Sequence, residues 1–442
     1  MCSRINNIPT NQCVTPMPKA YWGEIKDPVH GYVYITESEK TIVDSYPVQR
    51  LRRLRQLAGS EYVYPGANHT RFEHCVGVMY LAGKVLENPN VSRIVTDEEA
   101  EVTRIAALLH DVGHGPFSHV FEHLLVRELN KTHEDITSWL VEKSEIADKL
   151  SKRGFRPNEI SSLAVGKLHK PNRAFLDQII SSAVDVDKQD FIVRDSYHTG
   201  AEYGFIDVFR LIHALDVLGE NLAVETGALS ALESFIIARI ESFKSIYFHR
   251  VGRAAQIMLA MAMEKANDEL GLTSFKTPEE YLAMDDYTVW AATKKCEKSK
   301  RIIENLEQRR MVKCAYERTF YDKDTMISNI FSRDSYRLQV QAEIAQDAGV
   351  AAEAVIIDVP TVPSVPYHHS ALMEKMEIPV FSKTSSGAKT MYRMSDISKI
   401  FETLKGFINI LRVYTDAENR ERVEKATSKI LGKTPPTAKI SY

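Results

Sequence analysis

Cysteine is scarce: Cys2, Cys13, Cys75, Cys296 and Cys314 are the five in 442 residues, and no two stand in CxxC spacing. That argues against a disulfide-stapled scaffold and a thiolate zinc site, and it fits a reducing cytoplasm. Long apolar runs are missing as well, since none approaches the roughly 18 residues a membrane helix needs. The opening MCSRINNIPTNQCVTPMPK has no apolar h-region of the kind a signal peptide carries. A soluble, cytoplasmic chain without a membrane partner is the expectation. The formal net charge of -3 advertises no global attraction to nucleic acid, so any basic site must be local. With 44% hydrophobic and 26% charged residues the composition is globular, and no internal repeat or low-complexity segment is visible.

What the chain does have is histidine in one place. Seven of its 14 histidines fall between His69 and His133. The densest stretch, LLHDVGHGPFSHVFEH (Leu108 to His123), follows the apolar segment Ile105–Leu109. Such a segment places the imidazoles at the rim of a core, where metal chemistry would sit.

Taken in order, residues 1–20 read as a mobile arm, 21–265 as a helical core and 266–442 as a lobe of helices mixed with strands. A hairpin is expected around Asp27-Pro28 and Gly31, followed by a short helix through Ile42 and Val43 that ends near Pro47. The segment VQRLRRLRQL carries Arg50, Arg52, Arg53 and Arg55. It reads either as a solvated face with salt bridges or as a polyphosphate cradle, because guanidinium forks match phosphate oxygens.

A helix from Thr70 to Leu86 aligns His74, Val78, Leu81 and Val85 on one face. Thr96-Asp97-Glu98-Glu99 is a capping-box signature that opens the next helix, and Gly113 and Gly115 close it at the His110-Asp111 pair. Further helices are expected over Ser118–Leu129, from Thr132, over Phe205–Leu218 and over Leu229–Ala262. Strand-like runs follow at Val355–Ile357 and Ile378–Phe381, with TVPSVPYHHS as a Pro-rich loop.

Imidazoles and carboxylates together suit Fe, Mn, Zn, Ni or Co rather than Ca. Neighbouring side chains diverge by about 100 degrees in mid-helix, so His110 and Asp111 can both chelate only at a helix end. His74, His110 and Asp111 leave a divalent ion open, and Asp187 is the best distant carboxylate to complete it. Such an ion acidifies water for attack on phosphorus, leaving His114, His119 and His133 to act as acids or to bind phosphate. Arg71 and Lys188 stand beside the ligands, where cations suit an anionic substrate.

These residues carry a resemblance. DPVHG (Asp27–Gly31), QRLRRLRQL (Gln49–Leu57), RFEH (Arg71–His74), HDVGHGPFSH (His110–His119), THE (Thr132–Glu134), DVDKQD (Asp185–Asp190) and YFHRVGR (Tyr247–Arg253) occur in the order found in HD-domain phosphohydrolases. The sequence resembles most closely the deoxynucleoside triphosphate (dNTP) triphosphohydrolase branch. The resemblance implies a mainly α fold: an HD-domain helical core with a smaller C-terminal mixed α/β lobe. No SAM domain is expected ahead of the core, since only about twenty residues are available there. It implies a metal on His74, His110, Asp111 and Asp187, with Mg2+ accompanying the nucleotide.

By the same resemblance His119 is the general acid toward the 5'-oxygen. His114 and His133 contact phosphates or orient the nucleophile, with Glu134 behind His133. Arg71, Lys188 and Arg239 match phosphate-binding positions. Gln56, Leu57 and Asp195 match the surroundings of the deoxyribose and its 3'-hydroxyl, and Tyr247 the aromatic that crowds out a 2'-hydroxyl. Asp44, Gln49 and Arg52 fall where animal members of the branch read a guanine activator. The implied partners are a dNTP substrate, an activating GTP, dGTP or dATP, and further copies of the chain in a dimer or tetramer; nucleic acid is not expected.

Two departures stand out. Phe191 replaces a tyrosine near the substrate, and Phe248 replaces a glutamine beside the base. The rival readings are a nucleotidase or phosphodiesterase on the same scaffold, and a nucleotide sensor or single-stranded nucleic-acid binder that works through the arginine stretch.

Overall fold

The computed structural model describes residues 21–322, 334–363, 379–384, 386–404 and 407–434. The expected N-terminal arm and most of the TVPSVPYHHS loop lie outside these.

Gly23–Asp27 and Gly31–Ile35 pair antiparallel as the expected hairpin. Its turn is closed by Asp27, whose Oδ1 accepts the N–H groups of Val29 and His30 at 2.9 and 2.8 Å. The helix expected to end near Pro47 ends instead at Val43, and Pro47 sits in the first turn of a second helix, Tyr46–Arg50. Proline is tolerated there because the N–H it lacks would have no helical partner.

The HD region is built from Arg71–Glu87, Asp97–Leu109, His119–Leu129, His133–Lys143 and Val186–Thr199. Their starts are local chemistry. Thr70 with Glu73, Thr96 with Glu99, and Thr132 with Asp135 each form a reciprocal capping box. Arg71–Glu87 and Asp97–Leu109 pack on each other, burying Cys75, Val78, Leu81 and Val85 against Val102, Ile105, Ala106 and Leu109. At about 1.5–3 kcal/mol per fully buried large aliphatic side chain, this interface anchors the site at its end.

The stretch Phe205–Leu218 is not one helix. Only Val208–His213 is helical; Leu215–Leu218 is a strand that pairs with Asn221–Glu225. Periodicity does not separate a short apolar strand from a helix, and the turn at Gly219, with φ +64°, was the signal that mattered. This hairpin joins Pro379–Lys383 in parallel and, through it, Lys389–Arg393. Leu229–Ala262 also divides, into Leu229–Ser242, a π-turn at Phe243–Tyr247, and Arg250–Leu270.

The last of these helices runs straight through residue 265. The main hydrophobic core continues past it to Tyr281, Val289, Ile303 and Leu306. A second, smaller core lies behind a sheet in which Phe407–Thr415 pairs with both Lys313–Asp322 and Ile356–Asp358. The helices Asp334–Ala348 and Arg420–Leu431 cover one face of it. Arg253 reaches across to Asp358 with two hydrogen bonds of 2.6 and 3.1 Å. The fold is therefore mainly α, with a C-terminal mixed α/β region. No helix among the described residues is long and apolar enough to cross a membrane.

Candidate metal centre and phosphate pocket

His74 comes from the first turn of Arg71–Glu87, His110 and Asp111 from the end of Asp97–Leu109, and Asp187 from the first turn of Val186–Thr199. His110 is the C-cap residue, where the backbone leaves the helix and adjacent side chains can converge. His74 Nε2 lies 3.0 Å from Asp187 Oδ1 and 3.7 Å from Asp111 Oδ2. His110 Nε2 lies 3.5 Å from Asp111 Oδ1 and 3.6 Å from Asp187 Oδ1.

The other ring nitrogens decide what these atoms can do. His74 Nδ1 is 2.8 Å from Asp190 Oδ2, and His110 Nδ1 is 2.9 Å from the carbonyl of Ala107. Both partners only accept, so each Nδ1 carries a hydrogen and each Nε2 is the nitrogen that can offer a lone pair to a cation. Both Nε2 atoms are buried and have no hydrogen-bond partner among the described residues. Two bare imidazole nitrogens facing two carboxylates call for a cation between them, and this donor set fits a divalent transition metal. A proton would answer the same need. Burial lowers the pKa of His74, but the neighbouring carboxylates of Asp187 and Asp190 lift it to about 10, so a metal competes with a proton for that site.

Asp190, which the sequence reading left without a role, is fully buried and accepts four bonds. Besides His74 it takes His30 Nε2 at 2.6 Å and Arg194 Nε and Nη2 at 2.8 and 2.9 Å. Arg194 continues to Asp27 Oδ2 at 2.8 Å, so the hairpin turn braces the candidate ligand His74 from behind. Arg71, also buried, has Nη1 bonded to Asp111 Oδ2 and Nε donating to Ser118 Oγ at 2.7 Å. Burial would raise the Asp111 pKa, but Arg71, His110 and His114 hold it well below the usual carboxylate range.

A second group adjoins the first through His114, whose Nε2 is 3.3 Å from Asp111 Oδ1. His114 stacks on His133 at 4.0 Å, and His119 stands edge-on to both at 4.9 and 5.7 Å. Glu122 ties two of them together. Its Oε2 meets His119 Nδ1 at 2.9 Å, and its Oε1 meets His133 Nδ1 at 2.5 Å. Glu134, expected behind His133, instead pairs with Lys167 at 2.7 Å. His133 is the first residue of its helix, so its ring turns back toward the preceding helix, where Glu122 waits. The i, i+3 relation of His119 and Glu122 on one helix was the available signal.

Burial, with Arg71 and His133 as neighbouring cations, holds His114 well below its ordinary value. For His133 burial acts the same way, but Glu122 outweighs it and raises the pKa. The stacked pair thus combines a neutral imidazole with one that favours its proton. His119 keeps 68% of its side chain exposed, the open end of the group. His123 belongs to neither group.

The residues expected around a deoxyribose gather near Asp195. Its Oδ2 accepts the Tyr247 hydroxyl, and its Oδ1 lies 2.8 Å from His69 Nε2. His69, not singled out by sequence, stacks on His198 at 4.3 Å. Leu57 packs with Ala67 and Ile246, with Tyr247 against them, and Gln56 Oε1 is buried with no partner among the described residues. Phe191 meets Tyr247 edge-on at 6.1 Å, and Phe248 packs on Phe243 at 5.6 Å. Arg239 lies over the Phe243 ring, and burial pushes its pKa down to about 10, against the pull of Asp185 and Tyr247. Lys188 turns to Asp185, the helix N-cap, at 2.5 Å.

The arginine stretch divides its labour. Arg50 is fully buried and donates to the carbonyls of Met284 and His114 at 2.8 and 2.9 Å. Arg53 pairs with Asp285 and Arg55 with Glu61, while Arg52 lies over the Phe72 ring. Arg52 Nε also donates to Gln49 Oε1 at 2.9 Å, and nearby Asp44 pairs with Lys40 at 2.7 Å.

The HD domain model matches residues 71–195 and the HD associated region model matches 206–441. The chain belongs to the HD-domain phosphohydrolase family. Within the HD-domain proteins it is 29% identical over 392 residues to an uncharacterized protein of Methanocaldococcus jannaschii, covering 86% of this chain and 76% of that one. It is 32% identical over 308 residues to the deoxynucleoside triphosphate triphosphohydrolase SAMHD1 homolog of Dictyostelium discoideum, covering 65% of this chain and 59% of that enzyme. A solved hypothetical protein from Aquifex aeolicus superposes with a TM-score of 0.72 at 27% identity, over 91% of this chain and 99% of that one.

Proposed function

We propose that this protein is a metal-dependent dNTP triphosphohydrolase, converting a dNTP and water to a deoxynucleoside and inorganic triphosphate. The observation that carries the reading is the pair of buried, unpartnered Nε2 atoms on His74 and His110, converging with Asp111 and Asp187 beside the His114, His119 and His133 group. The name of the Dictyostelium relative supplies the substrate class. His74, His110, Asp111 and Asp187 would hold a divalent ion, which would supply Lewis acidity toward the α-phosphate and acidify the attacking water.

The chain's own residues do the rest. Glu122 holds the Nδ1–H of His119 and so leaves the exposed Nε2 to protonate the departing 5'-oxygen. His133, whose proton Glu122 favours, and neutral His114 stand on the phosphate side. Arg71, Lys188 and Arg239 offset phosphate charge. Asp195, held by His69 and Tyr247, accepts from the 3'-hydroxyl, and Tyr247 with Leu57 closes the space a 2'-hydroxyl would need. Asp44, Gln49 and Arg52 bind an activating guanine or deoxyadenine nucleotide between copies of the chain.

The test is a panel of dNTPs and NTPs, each alone and with GTP, dGTP or dATP, resolved by ion-exchange chromatography. Tripolyphosphate with deoxynucleoside supports the reading. Orthophosphate or a nucleoside monophosphate refutes it and moves the protein to the nucleotidase and phosphodiesterase alternative. Tight nucleotide binding that survives loss of the metal ligands, without turnover, refutes it in favour of a sensor.

A further inference from the structure

The loop from Gly113 to Ser118 joins the ligand Asp111 to the exposed imidazole of His119, and two of its residues sit in backbone conformations they would not choose. Phe117 has φ +58° and Ser118 has φ +57° with ψ -121°. For residues with a Cβ each left-handed conformation costs about 1–2 kcal/mol and persists only where the surroundings impose it.

Here the surroundings are the short helices Pro278–Leu282 and Asp286–Lys295, some 160 residues later in the chain. Tyr281 Oη donates to the Gly113 carbonyl at 2.7 Å. Phe117 N–H donates to Asp286 Oδ1 at 2.7 Å, while Asp286 Oδ2 accepts the Arg55 N–H at 2.9 Å. Arg50, itself anchored on the Met284 carbonyl and lying over the Tyr281 ring, donates to the His114 carbonyl. Ser118 Oγ donates to the Arg55 carbonyl at 2.7 Å. Tyr281, Asp286 and Arg50 are all buried.

We propose that Asp286 and Tyr281 are positioning residues that clamp the Gly113–Ser118 backbone and thereby set where the His114 and His119 imidazoles meet the substrate phosphates. The inference rests on the role given above to those two histidines, and it assigns a task to the HD associated region. Asp286 is suited to the clamp because both its oxygens accept main-chain N–H groups. An asparagine of the same shape turns its NH2 against one of them. Once released, Phe117 relaxes toward negative φ and swings the start of the His119 helix. Displacements of about 1 Å at a reacting group cost on the order of 100-fold in rate.

The experiment compares full-length D286N and Y281F with the wild type, loaded with Mn2+. Three quantities are read: hydrogen–deuterium exchange of the peptide spanning 113–119, bound metal by elemental analysis, and kcat and KM for a dNTP. Expected are faster exchange in that peptide, metal content unchanged, and a kcat lower by about 10- to 100-fold with KM within about 3-fold. A compensating change, F117G in the D286N background, should recover part of kcat, because glycine adopts the left-handed conformation without the clamp. Unchanged exchange and kcat in both single variants overturns the inference, as does a loss of kcat matched by loss of metal. If the wild type hydrolyses no dNTP, the proposed function falls while the exchange measurement still decides the clamp.

Discussion

Asp190 is fully buried, and replacing it with asparagine should weaken the candidate metal centre in a calculable way. Its four bonds divide evenly: Oδ2 serves His74 Nδ1 and Arg194 Nε, and Oδ1 serves His30 Nε2 and Arg194 Nη2. Whichever way the asparagine amide turns, its NH2 faces an Arg194 N–H. In one of the two orientations it also faces His74, which invites the imidazole to move its hydrogen from Nδ1 to Nε2, the atom needed for metal.

Losing a partner that orients a metal-bound histidine costs about 10- to 100-fold in affinity, or about 1.4–2.7 kcal/mol. Asp190 and Arg194 are both fully buried, so breaking their pair removes about 3–5 kcal/mol of folding stability in addition, Asp27 remaining as the one acid on Arg194. The two effects separate experimentally. Chelator competition with Mn2+ reads the first at a temperature where D190N is folded, and urea unfolding of the metal-free protein reads the second. Metal affinity in folded D190N within 2-fold of wild type would refute the argument that Asp190 sets the His74 tautomer.

Four further outcomes are expected. H110A and D111A should lose both bound metal and turnover, checked by elemental analysis beside product chromatography. E122Q should lower kcat by about 10- to 100-fold while E134Q changes it less than 3-fold, because Glu122 is the residue bonded to His133 and His119. In pH dependence, the raised His133 pKa makes its part of the Glu122 contact fully present below about pH 6.5 and lost as pH rises through the folded value. The lowered Glu122 pKa makes its own part present above about pH 4.5 and lost only as pH falls well below it. The stability difference between wild type and E122Q, measured by urea unfolding, should therefore be largest between those limits, and the alkaline limb of the kcat/KM profile should move to lower pH in E122Q. Finally, Q49A and R52A should leave basal turnover within 2-fold and remove stimulation by GTP, dGTP or dATP, read in the same chromatographic assay.

Local chemistry was legible from residues a few positions apart. The capping boxes at Thr96 and Thr132 start their helices because a threonine and an acid three residues on satisfy each other's backbone without help from the fold. The HDVGHGPFSH string announced a helix end, and with it the one place where adjacent His110 and Asp111 can point together. The same locality explains the errors. Leu215–Leu218 reads as apolar in either a helix or a strand, and only pairing with Asn221–Glu225 settles it. The core does not stop near residue 265 because helix propensity carries no information about which later segment will cover the helix.

The sequence alone therefore determined the candidate ligand types, the helices of the HD region and the presence of a histidine-rich rim, all consequences of side-chain chemistry and helical period. Which groups support those ligands was decided only in three dimensions. Asp190 reaches His30 across 160 positions, Asp286 reaches Phe117 across 169, and Glu122 takes the contact expected of Glu134. Hydrogen bonds of that kind depend on where packing of the core leaves a buried donor facing an acceptor, a condition that no spacing along the chain encodes.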